Sequence, residues 1–494
     1  MPILDAPDSG VTVRMYRQGH GDCFLLAFRK SDGDPLYMLV DCGYKPGSKV
    51  HASIQEIVDD IHQSTGGRLD LVLITHEHQD HVNGFWEKVF GNEIARFDDF
   101  EIGQLWLAWT EDPDDDFAND LRQRFGDELL GLVAASRRLA AAGGDAEQAL
   151  AARIDQWLEL ESGDFGASPF AIEGWSNKRA IQYVKEMCPG SPTYLLPFER
   201  VYTLPGVDGV TVYALGPPRN EQLLLSLDPI GGEGYVHHLA AIAQADAFYA
   251  AAMDQLPDFA AHAGESVEAQ QPFGRRWRIP EEERARSPHA EFFATHLEGE
   301  ANAWRRIDCD WLRTAETLAL RLNGEVNNTS AVIAIELPQS GRVLLFVGDA
   351  QRGNWVSWDD GAWADADGAE LTAEELLGRT VLYKVGHHGS HNATLKGLAS
   401  SGYPSLGWLA RGDYAPEFVA MIPANQKWAN EKAHWTHPLP SIRDALMRKA
   451  KGRVFQTDVD RVKKRATIGE AEWEEFQGGI VETDLYFQYT VADE

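Results

Sequence analysis

The sequence predicts a mixed α/β protein whose buried strands end in polar residues of the metal-ligand type. The run at 71–74 is apolar and rich in branched side chains, which is typical of a buried strand. It stops at Thr75, and the next six residues include His76, His78, Asp80 and His81. An amphipathic helical pattern precedes it at 53–64. Strand and helix patterns recur along the chain, so we expect sheets covered by helices.

Further strands are predicted in most of the chain. The strand patterns cover 11–16, 23–28, 36–40, 105–109, 210–215, 331–336, 342–347, 381–385, 406–409, 419–422 and 480–491. A helix is expected to start near His81 and to continue through 85–90, and another is expected to start near Ser441.

The composition indicates a folded, strongly acidic protein. Lys and Arg number 45 and Asp and Glu number 76, which gives a net charge of −31. Such a surface repels nucleic acid and anionic membranes unless basic residues cluster locally. With 44% hydrophobic residues and 15 Trp, the chain can bury a large core, which excludes the class of disordered proteins.

Cysteine usage and the N-terminal residues predict a cytoplasmic protein without a membrane partner. The four cysteines are widely spaced and form no CxxC pair, which favours reduced thiols: Cys23, Cys42, Cys188 and Cys309. The first residues show no basic region followed by an apolar run, so we expect no signal peptide. No stretch approaches 18 continuous apolar residues, the length of a membrane span.

The His-rich turn after the strand at 71–74 is a candidate metal site. His76 and His78 are two residues apart, so in an extended turn their side chains point the same way. Asp80 and His81 follow where the chain is expected to enter a helix. Imidazole and carboxylate groups are the ligands that Zn, Mn and Fe accept. The alternative interpretation is a polar loop that happens to be rich in histidine.

Two later strands end in the same type of residue. The strand at 342–347 is followed by Gly348 and Asp349, and a carboxylate can face one cation with each oxygen. The strand at 381–385 is followed by His387 and His388. Neighbouring side chains in extended backbone point opposite ways, so one histidine should bind metal and the other should face substrate. We favour His387 as the ligand because it is nearer the strand end.

These motifs resemble the metallo-β-lactamase superfamily, and in particular the ComEC-type hydrolase domain of DNA-uptake proteins. The similar segments are His-x-His-x-Asp-His at 76–81, the glycine-punctuated turn that ends at Asp22, the strand end at Asp41, Gly-Asp at 348–349, Lys-Val-Gly-His-His-Gly-Ser at 384–390, His-Pro at 437–438 and Thr-Asp at 457–458. The resemblance covers most of the chain outside two helical regions. It implies an αββα sandwich, in which two facing mixed sheets are flanked by helices.

The resemblance also implies one catalytic domain that spans residues 1–494. Residues 111–195 are interpreted as a helical insertion, and residues 219–325 as a second, mostly helical one. Either insertion can be the surface for a protein partner. The sequence leaves the oligomeric state open.

The resemblance assigns these residues to two divalent metals, with zinc expected and manganese or iron as alternatives. His76 and His78 would hold one metal, and Asp349 would bridge to the second. Asp80, His81 and one of His387 and His388 would complete the second position. No further histidine stands out for the first position, so an inserted residue fills it or the position keeps water.

The same resemblance assigns roles to the surrounding side chains. A metal-bound hydroxide would attack the substrate, and Asp80 would accept its proton. His388 would contact the substrate oxyanion or leaving oxygen, and Ser390 would donate a hydrogen bond. Asp22, Asp41 and His437 are expected to orient ligand side chains or to contact substrate. The alternative interpretation makes Asp41 a turn residue and His437 a packing residue at the start of a helix.

We therefore expect a metal-dependent hydrolase, with phosphodiesterase or nuclease activity as the leading hypothesis. The net charge fits a small phosphoester better than a long nucleic acid, although 275–278 and 451–465 carry local basic residues. Hydrolysis of a lactone, thioester or β-lactam carbonyl uses the same site chemistry and is the first alternative. A toxin or defence effector gated by a partner is the second.

Overall fold

Two mixed β-sheets are the framework of the protein. The computed structural model describes residues 3–89, 92–142, 148, 150–152, 154, 176–230, 233, 281–296, 314–364, 370–396, 404–460, 462, 464 and 467–494. The strands are β1 (Gly10–Tyr16), β2 (Cys23–Arg29), β3 (Pro35–Cys42), β4 (Arg68–Ile74), β5 (Trp86–Val89), β6 (Asn92–Ala95), β7 (Glu101–Ala108), β8 (Thr193–Leu195), β9 (Val201–Thr203), β10 (Thr211–Gly216), β11 (Val332–Glu336), β12 (Val343–Phe346), β13 (Ala362–Ala364), β14 (Glu370–Thr372), β15 (Thr380–Lys384), β16 (Val419–Ile422), β17 (Val454–Gln456), β18 (Ile480–Glu482) and β19 (Tyr486–Ala492).

Helices connect these strands and cover the sheets. They are α1 (Ile54–Thr65), α2 (Gln79–Val82), α3 (Asp116–Ala142), α4 (Ser176–Met187), α5 (Glu221–Leu224), α6 (Glu281–Arg284), α7 (Ala290–His296), α8 (Thr314–Asn328), α9 (Arg352–Ser357), α10 (Ala373–Gly378), α11 (Gln426–Trp428), α12 (Pro440–Lys449) and α13 (Glu470–Gly478). The sequence explains the bounds of α1: Ser53 and Glu56 form a reciprocal capping box, and Gly66 ends the helix at φ 66°.

The first sheet has the strand order β18-β19-β1-β2-β3-β4-β7-β8. Its strands β3, β4, β7 and β8 are mutually parallel. The second sheet has the order β17-β16-β15-β12-β11-β10-β9, and β12, β15, β16 and β17 are parallel. Because parallel strands end at the same edge of a sheet, each sheet gathers several strand ends at one place.

The two sheets share one apolar core between them, which explains why their strands read as long apolar runs. In β2, Phe24 and Leu26 pack in this shared core together with Leu344 of the second sheet. The alternating residue Leu25 packs on the opposite face, in a cluster with Ile57 of α1. Helices α9, α10 and α12 contribute apolar residues to a cluster on the outer face of the second sheet. The fold class is therefore a mixed α/β sandwich, as the sequence predicts.

Most of the expected strands are confirmed, but three predicted elements are wrong. The single edge strand expected at 480–491 is instead two paired strands, β18 and β19, of which only β18 lies at the edge. Residues 85–90 were expected to continue a helix, whereas α2 ends at Val82 and β5 pairs with β6 in a hairpin. Trp86 and Val89 are three residues apart, a spacing that favours a helix, so the strand here depends on its pairing with β6 rather than on the local pattern. The segment 406–409 forms a turn rather than a strand. Its run of apolar side chains is buried without pairing to either sheet.

The two ranges interpreted as insertions, 111–195 and 219–325, are mostly helical in the parts that the structure describes. Helices α3 and α4 lie in 111–195, although 193–195 form β8 and extend the first sheet. Helix α4 packs its residues Ala180, Ile181 and Val184 on the outer face of that sheet. In 219–325, helices α5, α6, α7 and most of α8 are described.

Candidate metal centre

The expected ligand residues come together where the parallel strands of both sheets end. The segment 76–81 follows β4 of the first sheet, and Asp349 and the 387–388 pair follow β12 and β15 of the second. Asp22 precedes β2. All of these carboxylates and most of these imidazoles are buried. The two sheets therefore supply opposite sides of one polar site.

Four side chains form a compact centre, which we call the four-residue centre: Asp22, His81, Asp349 and His388. One ligand atom of each lies within 4.8 Å of the others. The Nε2 atom of His81 lies 3.3 Å from Oδ1 of Asp349, and that of His388 lies 3.4 Å from Oδ2 of Asp349. Ligand atoms around tetrahedral zinc lie roughly 3.4 Å apart, because each Zn–N or Zn–O bond is about 2.1 Å long.

Buried atoms of this centre lack hydrogen-bond partners, which fits a site for a cation. Nε2 of His81 and Oδ1 of Asp349 accept or donate no hydrogen bond within the described parts of the chain. Such groups cost free energy unless something binds them. A set of two imidazoles and two carboxylates suits Zn, Mn or Fe, so the residues fit the expected metals.

Asp80 lies beside this centre and is held from two sides. Its Oδ1 atom lies 2.8 Å from Nζ of Lys45, and its Oδ2 atom lies 2.9 Å from Nε2 of His388. Burial alone would raise the pKa of Asp80, but Lys45 and His388 outweigh it and hold the pKa well below its usual range. Asp80 is thus ionised and oriented.

His76, His78 and His387 form a second group next to the centre. Nε2 of His76 lies 3.0 Å from Nδ1 of His78. Helix α8 faces them with two amides one turn apart: Asn323 Nδ2 lies 3.4 Å from His78 Nε2, and Asn327 Nδ2 lies 3.3 Å from His387 Nε2. The amide oxygen of Asn327 is buried without a hydrogen-bond partner among the described residues. These two amides adjoin the group that contains His76 and His78, for which the sequence offered no further histidine as a ligand.

Asp41 and Thr75 hold His81 in place. Asp41 Oδ2 lies 2.8 Å from His81 Nδ1. The backbone N–H and the hydroxyl of Thr75 each donate to Asp41 at 2.7 Å. Asp41 has φ 54°, a left-handed conformation that turns the strand end towards the site. A carboxylate on the far nitrogen of a ligand histidine fixes its ring orientation and tautomer, which is the role expected of Asp41.

Lys384 is a buried cation that the sequence reasoning missed as a site residue. Its ammonium group pairs with Asp22 and lies 3.6 Å from Oδ1 of Asp349. It also donates to the carbonyl of Gly348 at 2.6 Å. Burial opposes its charge, but the carboxylates of Asp22 and Asp349 outweigh it and raise the pKa. A lysine at the end of the apolar run of β15 was the available signal.

The imidazoles of the site form two groups, one with raised and one with lowered pKa values. Burial lowers the pKa of His388, but Asp349 and Asp80 outweigh it and raise the value to about 9. His81 behaves likewise: Asp349 and Asp22 overcome burial and raise its pKa well above the usual value. Burial lowers the pKa of His76 far below its usual value and that of His387 to about 4.

The geometry places His388, and not His387, in the four-residue centre. Nε2 of His387 lies 3.9 Å from Oδ2 of Asp349, farther than that of His388. The preference for His387 assumed extended backbone at this pair. Both residues instead have positive φ, 45° and 52°, within a 3₁₀ turn. The strand alternation therefore does not apply here.

The remaining expected site residues lie next to the centre. His437 packs its ring 5.3 Å from that of His387, measured between ring centroids, just before α12. Ser390 is buried and its N–H donates to the carbonyl of His387 at 2.8 Å. The ring of His20 lies 4.3 Å from that of His388, measured between centroids. The sequence analysis did not select His20, which lies inside the glycine-punctuated turn.

The basic segments considered as nucleic-acid contacts receive little support. Residues 275–278 lie outside the described parts. Of the second segment, Lys451 and Arg453 pair with Glu472, and Lys464 pairs with Glu470, so neighbours compensate these three charges. Arg461, Lys463 and Arg465 lie outside the described parts. The cysteines Cys23, Cys42 and Cys188 are free thiols, as expected, and Cys309 lies outside the described parts.

Comparisons with known proteins identify no family for this chain. No protein-family model matches it, and no curated protein matches it at a significant level. Among the helices that the structure describes, none combines the length and the apolar character required to cross a membrane.

Proposed function

We propose that the protein is a metal-dependent hydrolase that acts on phosphodiesters. The observation that carries this proposal is the four-residue centre, whose ligand atoms lie within 4.8 Å of one another at the junction of two sheets. The position of the centre at the ends of parallel strands in a mixed sandwich supports a metallo-β-lactamase fold as well. Catalytic sites of open α/β sheets lie at such strand ends.

The charges around the centre support binding of a divalent cation. Four carboxyl groups meet two lysines: Asp22, Asp41, Asp80 and Asp349, with Lys45 and Lys384. The raised pKa values of His81 and His388 mean that protons on these rings compensate the excess negative charge. A divalent cation can replace both protons with the same total charge.

The side chains of the site have separable tasks in this proposal. The four-residue centre would hold the cation, and Asp41 would keep His81 in the tautomer that presents Nε2. A bound divalent ion supplies a Lewis acid and lowers the pKa of water towards neutrality. Asp80 orients His388 through a hydrogen bond. Because the pKa of Asp80 is held low, its carboxylate accepts hydrogen bonds well but is a weak base for taking up a proton.

A phosphodiester suits this site for electrostatic reasons. Lys45 is buried at the edge of the centre and has a cationic head beside Asp80. A substrate anion next to Lys45 and a dication gains attraction that a neutral lactone does not. Hydrolysis of a carbonyl substrate is therefore the less favoured activity, and carbonyl reporters are assayed beside the phosphodiester.

The test combines metal content with a panel of substrates. Purified protein is loaded with Zn or Mn and assayed on bis(p-nitrophenyl) phosphate, a lactone and a β-lactam reporter. We expect phosphodiester cleavage that Asp349→Asn abolishes together with metal binding. The control His289→Ala removes an exposed histidine and should behave as wild type. Cleavage of a carbonyl reporter alone, or metal-loaded protein that cleaves nothing, would contradict the proposal.

A further inference from the structure

A group of aromatic rings adjoins the candidate metal centre, and neither the metal chemistry nor the core explains it. We call His20, Trp428, Trp435 and His437 the aromatic cluster. The His20 ring lies 5.4 Å from Trp428, 5.9 Å from Trp435 and 5.6 Å from His437 between centroids, and it is stacked on His437 at 15°. His20 is fully buried, whereas the two tryptophans are only partly buried.

The backbone that carries the two tryptophans is built to present them together. Asn425 accepts from the N–H of Trp428 at 2.9 Å and donates to the carbonyl of Ser48 at 2.8 Å, which ties this segment to the first sheet's side of the site. A π-helical turn spans Ala429–Ala433, and the N–H of Trp435 donates to the carbonyl of Ala429 at 2.9 Å. Such π turns are rare and occur frequently at functional sites.

The aromatic cluster contains polar atoms that its own packing does not satisfy. Both ring nitrogens of His20 and Nδ1 of His437 are buried without a hydrogen-bond partner among the described residues. A buried imidazole with no partner on either nitrogen is costly, and in a native structure it indicates a missing partner. A ligand with donors and acceptors at the edge of a flat ring supplies such partners.

The aromatic cluster also lies one ring away from the proposed reaction centre. His20 lies 4.3 Å from the ring of His388, and His437 lies 5.3 Å from that of His387. Nζ of Lys45 lies 5.9 Å from the ring centre of Trp435 and 2.8 Å from Asp80. One end of a ligand can thus reach the four-residue centre while a planar group contacts the tryptophans.

We propose that the aromatic cluster binds the nucleobase of a substrate whose phosphodiester is placed at the four-residue centre. This inference rests on the proposed hydrolase function for the position of the phosphate. Base–aromatic stacking is tolerant of sequence, because every base has a flat π face. The net charge of −31 disfavours a long polyanion, so the substrate class is a nucleotide diester or a short oligonucleotide.

The first experiment compares two esters with the same leaving group. The p-nitrophenyl ester of thymidine 5′-monophosphate carries a base, and methyl p-nitrophenyl phosphate does not. We expect wild type to favour the thymidine ester in kcat/KM by on the order of 10- to 100-fold, the range of one stacked base. Trp435→Leu should lose most of this ratio, and Trp435→Phe should keep most of it.

The second experiment measures binding without turnover. Calorimetry gives the affinity of metal-loaded protein for thymidine 5′-monophosphate and for methyl phosphate. We expect tighter binding of the nucleotide, a loss of this difference in Trp428→Leu and Trp435→Leu, and wild-type behaviour in Phe292→Leu, which removes an exposed ring on α7. The wild-type comparison alone decides the outcome if a tryptophan variant fails to fold.

The outcomes separate this inference from the proposed function. Cleavage of methyl p-nitrophenyl phosphate with no preference for the thymidine ester, and no tighter nucleotide binding, overturns the base site and leaves the hydrolase intact. Tryptophan-dependent nucleotide binding without cleavage of either ester supports the base site and contradicts the hydrolase. Absence of both nucleotide binding and cleavage overturns both.

Discussion

At the scale of single residues, Asp41 connects the fold to the site. It is fully buried, accepts two hydrogen bonds from Thr75 and lies against the far nitrogen of His81. Its carboxylate therefore affects the metal only through a ligand. Removing its charge should weaken metal binding without removing a ligand atom.

We predict that Asp41→Asn lowers metal affinity by about 10- to 100-fold, the usual cost of losing such a partner. Competition with a chelating dye measures this affinity. Asp59→Asn, on the exposed face of α1, is the matched control and should bind metal as wild type does. Unchanged affinity in Asp41→Asn would mean that His81 is not a ligand.

We predict that metal binding releases about one to two protons near neutral pH. The pKa of His388 is raised to about 9 and that of His81 is raised as well, so both rings carry protons in the metal-free protein. A ligand nitrogen must lose its proton, so affinity should increase with pH and level off above about 9. Calorimetry in buffers of different ionisation enthalpy counts the protons; release of none would contradict the assignment.

The sequence identified most of these residues but not their pairing. Ligand types at the ends of apolar runs were enough to select His81, Asp349 and the adjacent histidines. The choice between His387 and His388 depended on backbone conformation, which residue spacing does not reveal. His20 was missed because a lone histidine gains meaning only from buried neighbours that are distant in the chain, and Lys384 was missed although it stands at the end of an apolar run.

Among the elements, the site depends on how closely the end of β3 approaches helix α2. Gly43 follows β3, and a Cβ atom there would lie 2.2 Å from the carbonyl carbon of Asp80 and 2.3 Å from the backbone nitrogen of His81. Both contacts are with backbone, so no side chain can move to relieve them. Glycine at this position permits the close approach.

We predict that Gly43→Ala displaces α2 and reduces metal binding more than Asp41→Asn does, with the sheets still folded. Metal stoichiometry and far-UV circular dichroism measure the two effects. Gly478→Ala, in α13 with no atom of the described residues within 4 Å of the added atom, is the control. Full metal binding by Gly43→Ala would show that Asp80 and His81 are not fixed by this contact.

Prediction of secondary structure failed at segments whose apolar pattern fits more than one type of element. Residues 85–90 were expected to continue the helix that starts near His81, yet Trp86–Val89 form β5 of a hairpin. Residues 406–409 were expected to be a strand because they are apolar, yet they are buried in a turn. Apolar character reports burial, and only a pairing partner makes a strand.

At the scale of the whole molecule, the candidate centre joins the two sheets. His81 follows β4 of the first sheet, and Asp349 and His388 follow β12 and β15 of the second. A cation held by all of them therefore links both halves of the sandwich. Binding to the folded state alone stabilises that state by mass action.

We predict that free metal at 100 times its dissociation constant stabilises the protein by about 2.7 kcal/mol. Thermal unfolding with and without a chelator measures the effect, and Asp349→Asn should abolish it. An equal shift in Asp349→Asn and in wild type would place the stabilising metal elsewhere.

The sandwich class was predictable from the sequence because strands buried on both faces produce long apolar runs. The extent of the inserted regions was less predictable: the range 111–195 ends in β8, which joins the first sheet. A three-residue edge strand carries too little pattern to be separated from the helices before it.

The proposed hydrolase requires one divalent cation bound between Asp22, His81, Asp349 and His388. Anomalous diffraction from crystals of zinc-loaded protein, collected above and below the zinc absorption edge, locates this ion. We predict a zinc peak in contact with these four side chains, and its loss in Asp349→Asn. Zinc bound only by other residues, or no zinc peak in fully loaded protein, would contradict this metal site.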